Sequence, residues 1–142
     1  MSRVEQLKAA FGVIHILPLE RDDAHAILEL AQLVVDVDGH EHADELGLYF
    51  RVGKLLLELA EQADAEVPTF ASDEDDESRM FELATQLKST PARELAFAVA
   101  RTLAEADLEI GPEEDTFVER LRKLLSITPE RADELDTLLR SA

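Results

Sequence analysis

Apolar residues recur along this chain at intervals of three and four, and they do not alternate over a run long enough to suggest a strand. The pattern predicts about seven helices. The first covers roughly residues 3–11. After Pro18, Asp22 and Asp23 open a long second helix that runs to about Asp38, with Ile27, Ala31 and Val34 on one face. Gly39 then supplies the positive φ on which helices commonly end. A third helix, about 43–64, carries Leu48, Tyr49, Val52, Leu55, Leu56 and Leu59 at helical spacing. A fourth spans about 78–89, and Thr90-Pro91 reads as an N-cap followed by proline for a fifth that reaches about Asp107. Gly111-Pro112 opens the sixth, and Thr128-Pro129 caps the seventh, about 129–140. The expected fold is an all-α bundle in one domain, residues 1–142, with an acidic flexible loop at about 65–77.

The pattern also repeats. Asp36-Val37-Asp38-Gly39-His40-Glu41-His42-Ala43-Asp44-Glu45 aligns without a gap on Glu105-Ala106-Asp107-Leu108-Glu109-Ile110-Gly111-Pro112-Glu113-Glu114, 69 positions later. The apolar frame stays in register, with Val52 on Leu121, Leu55 on Leu124, and Leu56 on Leu125. Upstream, Ile27, Ala31 and Val34 fall on Ala96, Ala100 and Leu103. An internal repeat of about 20–60 and 89–129 predicts two pseudo-symmetric halves, each centred on a helix–acidic loop–helix hairpin.

Periodicity gives the acids a direction. The stripe Ile27, Ala31, Val34 continues onto Asp38, and Ala96, Ala100, Leu103 continues onto Asp107. In the helices that follow, Glu45 heads the stripe Tyr49, Val52, Leu56, and Glu114 heads Val118, Leu121, Leu125. Each hairpin is therefore expected to aim an Asp and a Glu inward at one end of the core. Paired carboxylates at an apolar edge repel unless something positive joins them, and a hard cation with oxygen ligands would do so. Helix capping explains the same residues without a metal. Glu45 and Glu114 follow their N-caps by about three positions, and Asp38 and Asp107 can accept loop N–H groups. An EF-hand register fails, because taking Glu45 as the last ligand puts Val34 where the first acid is required.

Composition narrows the function classes. Thirty-two Asp and Glu against 14 Lys and Arg leave a net charge of -18, which disfavours nucleic acid and anionic membranes as partners. No apolar run is long enough to span a bilayer, and the N-terminus lacks the continuous apolar middle of a signal peptide, so a cytoplasmic protein is expected. Without cysteine, disulfides and thiolate metal sites are excluded. His40 and His42 near Glu41 offer a nitrogen/oxygen set for zinc, a lesser expectation than an oxygen-seeking ion. His25 shares a polar stripe with Asp22, Glu29, Gln32 and Asp36 and is expected at the surface, while His15 sits in an apolar run. There is no nucleophile arrangement and no glycine-rich phosphate loop, so no catalytic residue is expected.

The phrase Ala106-Asp107-Leu108-Glu109-Ile110-Gly111-Pro112-Glu113-Glu114 resembles the A-D-G-E-I-x-x-E-E signature of TerB-like domains, the tellurite-resistance protein B family. Asp38-Gly39-His40-Glu41 with Glu45 looks like that family's first motif, and the likeness covers roughly residues 20–140. Leu108 departs from the usual glycine, and His40 and His42 are further departures. The resemblance implies a helical domain of two similar halves with acids gathered where a metal ion binds, and a bacterial stress-response role exercised through protein partners. The expected function is thus non-enzymatic binding of a divalent cation, calcium or similar, through Asp38, Glu45, Asp107 and Glu114, with Asp36, Glu41 and Glu109 as outer ligands. The alternative is a metal-free acidic adaptor for a basic partner protein.

Overall fold

The computed structural model describes residues 20–36, 43–60, 66, 76–104 and 112–141. Among these residues the chain is all-helical and has no strand. Six helices follow in order: α1 (Arg21–Asp36), α2 (Ala43–Leu59), α3 (Asp76–Gln86), α4 (Thr90–Ala104), α5 (Pro112–Leu124) and α6 (Pro129–Ser141). The helix expected at 3–11 lies outside the described residues, as do the predicted extensions of α1 to Asp38 and of α4 to Asp107.

Helices α1 and α4 form the centre. They pack against each other, α1 also meets α2, α3 and α5, and α4 also meets α2, α5 and α6. The central position shows in their sequences. Ile27, Ala31 and Val34 are buried as their spacing predicts, and so are Ala96, Ala100 and Leu103. Burial extends around both helices, since Ala26, Leu28, Leu30, Leu95, Phe97, Ala98 and Val99 are buried too. A helix covered on all sides must be apolar on all sides or pair whatever is not. The outer helices contribute narrower faces: Tyr49, Val52 and Leu56 from α2, Met80 and Leu83 from α3, Phe117, Val118 and Leu121 from α5, and Ala132, Leu135 and Leu139 from α6. Together these make one core cluster drawn from all six helices.

The helix ends follow local chemistry. Thr128 Oγ1 accepts the Arg131 N–H at 3.1 Å, and Pro129 occupies the first turn, as expected. The α4 cap corrects the expectation by one residue. Ser89 rather than Thr90 is the cap, with its Oγ accepting the Ala92 N–H at 3.2 Å, and Thr90 and Pro91 already lie inside the helix. Helix α3 also begins earlier than predicted. Asp76 and Glu77, expected in the acidic loop, belong to its first turn. Between α5 and α6, Ser126 has a φ of 60°, a left-handed conformation usually left to glycine. Its N–H donates to Lys123 O (3.1 Å) and the Ile127 N–H donates to Arg122 O (3.1 Å), which closes α5 in a Schellman turn over the buried Ile127.

Candidate functional site

The two acidic hairpins are only framed by the described residues. Asp36 is the last residue of α1, Glu45 is the third of α2, and Glu114 is the third of α5. Asp38, Glu41, Asp107 and Glu109 lie outside the described residues, as do His40 and His42. The helices that flank each acidic segment do pack together, α1 on α2 and α4 on α5. Among the described residues, no group of three or more His, Asp or Glu side chains is placed to hold a metal ion.

The polar chemistry inside the described fold is different, and the sequence pattern did not expose it. Glu29, expected on a solvated stripe with His25, is instead buried and held by Arg79 of α3. Arg79 donates through Nη2 to Glu29 Oε1 (2.6 Å) and through Nε to Oε2, while its Nη1 donates to Glu82 Oε2 at 2.9 Å. The same geometry recurs between α6 and α4. Arg131 donates through Nε to Glu94 Oε2 (2.5 Å), through Nη2 to Glu94 Oε1 (2.9 Å), and through Nη1 to Glu134 Oε2 (2.7 Å). In both clusters the forked guanidinium grips one buried carboxylate in bidentate fashion and a second carboxylate three residues ahead on its own helix. The hydrogen bond each guanidinium donates to its buried carboxylate is the main cause that lifts both arginines well above the usual guanidinium range.

A signal for these pairs exists in the sequence. Glu-Leu-Ala occurs at 29–31 and again at 94–96, and Arg-x-x-Glu-Leu occurs at 79–83 and 131–135. A lone Glu in a mostly apolar run, with a repeated arginine–glutamate spacing elsewhere in the same chain, fits a buried pair. Each pair pins an outer helix to a central one. With both oxygens of each buried carboxylate engaged, neither is offered to a metal or a substrate.

Surface depressions are also present among the described residues. A polar cleft of about 520 Å³ is lined by Asp22, His25, Glu29, Arg79, Gln86 and Lys88. Its chemistry is mixed in sign, and its central groups already satisfy each other. In the first turn of α1 the Asp23 carboxyl is raised above its ordinary range, first by burial and then by the charges of Glu20 and Asp22. Its charged form is therefore disfavoured in the fold relative to the unfolded chain. That deficit is present above the folded pKa and disappears as pH falls below the unfolded one. Asp23→Asn is expected to raise the melting midpoint slightly at pH 7 and to lose that gain at pH 3, read by thermal melts at both. An equal gain at both pH values would contradict this account. The second depression, an apolar groove of about 410 Å³, is lined by Met80 and Phe81 of α3 and by Arg120, Lys123 and Leu124 of α5.

No family model, curated protein or solved structure matches the chain. No helix among the described residues is long and apolar enough to cross a membrane.

Proposed function

We propose that this chain is a non-enzymatic, TerB-like stress-response protein of the cytoplasm that binds a divalent cation through its two acidic hairpins and acts through a protein partner. Asp38 and Glu45 would supply one hairpin's ligands and Asp107 and Glu114 the other's, with Asp36, Glu41 and Glu109 in support. The two hairpins would belong to pseudo-symmetric halves, with a seventh helix ahead of α1. The observation that carries the reading is that each of two matching acidic segments connects a pair of helices packed on each other. A segment that joins two packed helices would bring its carboxylates near one another, where mutual repulsion would favour a cation. The donor set is carboxylate oxygen alone, which fits calcium or a similar hard ion better than zinc.

The test is a thermal melt of chelator-treated protein with millimolar calcium, magnesium, manganese or zinc. Calcium is expected to raise the midpoint by several degrees, since only the folded chain gathers the ligands, and an ion at a hundredfold its Kd adds about 2.7 kcal/mol. Asp107→Asn with Glu114→Gln should reduce that rise by about half or more. No shift with any ion would remove the cation from the account.

A second reading has its own support. Glu45 and Glu114 both occupy the third position of a helix, where a carboxylate reaches back to free N–H groups and favours the helix dipole. On that reading the protein is a metal-free acidic adaptor. Its affinity for a basic partner would fall steeply with salt and ignore chelators.

A further inference from the structure

On α1, Asp22, His25, Ala26 and Glu29 have the spacing of one helix face, and on α3 so do Arg79, Leu83 and Gln86. Both strips line the polar cleft of about 520 Å³, to which the α3–α4 connection adds Lys88. Its innermost groups, Glu29 and Arg79, hold each other. Asp22 lies two turns before Glu29, and Gln86 two turns after Arg79, about 10 Å along each helix. One shared ion pair and one shared cleft therefore set the strips antiparallel, with Asp22, Gln86 and Lys88 gathered at the mouth.

Mouth and interior differ in what they have left to offer. Arg79 is engaged by Glu29 and Glu82. Among the described residues the side chains of Asp22, His25, Gln86 and Lys88 make no hydrogen bond or ion pair. Asp22, Gln86 and Lys88 are exposed and His25 is half-buried. Between the mouth and the ion pair the lining turns apolar, with Ala26 and Leu83 both buried.

Charge selects the occupant. A chain of net charge -18 repels an anion at long range, and a cation entering the cleft meets Lys88 and Arg79. A molecule that carries both signs close together and no net charge escapes both penalties. The open groups at the mouth match it, because a carboxylate stands beside an ammonium and an amide. The adjoining apolar lining suits a hydrocarbon side chain, and the cleft's volume falls in the range of small-molecule sites.

We infer that the α1–α3 cleft binds a free α-amino acid with an apolar side chain. The ligand's ammonium donates to the Asp22 carboxylate, and its carboxylate accepts from Lys88 and Gln86. Its side chain lies over Ala26 and Leu83, with the Glu29–Arg79 pair as the back wall that limits its length. The ligand spans α1 and the end of α3, so binding ties these elements together. This site is separate from the acidic hairpins and takes an organic zwitterion in place of a metal ion.

The experiment is a chemical-shift titration of the full isotope-labelled chain with leucine. Leucine is expected to bind with a Kd of about 1 mM or below. N-acetyl-leucine and leucinamide, which each lack one of the two charges, and glycine, which lacks the side chain, should each bind about tenfold more weakly or worse. Asp22→Asn and Lys88→Gln should each weaken leucine by about tenfold. The effects should also cross: Asp22→Asn leaves N-acetyl-leucine unchanged and Lys88→Gln leaves leucinamide unchanged, because each variant loses the group that its ligand no longer meets. Both substituted side chains are exposed, so the melting midpoint should stay near that of the parent. Lys123→Gln, the same change of charge on α5, should leave leucine binding as it is. Binding should also be the same with chelator or calcium and in Asp107→Asn with Glu114→Gln, which keeps this test independent of the cation reading. Absence of any shift at about 20 mM leucine overturns the inference. So does leucinamide binding as tightly as leucine, which would mark a cation held by an acidic surface, or N-acetyl-leucine doing so, which would mark an anion held by Lys88. Leucine affinity that is unmoved by Asp22→Asn and Lys88→Gln would place any binding elsewhere and overturn it as well.

Discussion

Arg131→Met is expected to destabilise the fold by about 3 kcal/mol, and Glu94→Leu by about 1 kcal/mol, although both break the same ion pair. The asymmetry follows from where each charge ends up. Glu94 is 8% exposed, so losing Arg131 leaves a largely buried carboxylate without the guanidinium that engages both its oxygens. Arg131 has a side chain about a third exposed and keeps Glu134 at 2.7 Å, so losing Glu94 leaves a guanidinium that can lean into solvent. The double variant, Arg131→Met with Glu94→Leu, should recover to within about 1 kcal/mol of the parent, because an apolar pair of similar volume removes both desolvation penalties. Urea titrations at constant m would read these differences as shifts of midpoint. Equal losses from the two single variants would show that the pair is worth only its mutual attraction. The same ordering is expected at the Glu29–Arg79 pair, where Glu29 is the more buried member.

Helix type and core faces were legible because each rests on local periodicity. Ile27, Ala31 and Val34 could be assigned to the interior from spacing alone, and so could Ala96, Ala100 and Leu103. The Thr128 cap was legible for the same reason, since its partner N–H lies three residues away. What escaped depends on partners distant in sequence. Glu29 finds Arg79 across 50 residues and Glu94 finds Arg131 across 37, and a helical wheel drawn for α1 alone puts Glu29 with the solvated residues. Only the packing of other helices around α1 and α4 turns that position inward. The groove escaped likewise, because Phe81 and Leu124 become neighbours only once α3 lies against α5. The acidic hairpins fall mostly outside the described residues, and what the fold contributes there is the helical setting of Glu45 and Glu114 and the packing of the helices on either side.

Leu121→Ala should lower stability by about 3 kcal/mol, or roughly 8 °C in midpoint. Leu121 is fully buried in the core cluster, and α5 packs against α4, α3 and α1, so the vacated volume opens where several helices converge. Val52, its match in the repeated frame, is equally buried on α2, but Val52→Ala removes less volume and should lose only about 2 kcal/mol. The Leu121 variant also weighs on function, since α5 begins with the acidic turn that holds Glu114. If a cation ties that turn to the rest of its hairpin, ligand linkage and the cavity act on the same folding equilibrium in opposite directions. Calcium at about a hundredfold its Kd would return about 2.7 kcal/mol of the loss, bringing Leu121→Ala in calcium close to the parent protein without it. Rescue by calcium that vanishes in Leu121→Ala combined with Asp107→Asn and Glu114→Gln would assign the restored stability to the hairpin. A variant that melts at the same depressed temperature with and without calcium would leave the core intact as an account of the fold and remove the cation from it.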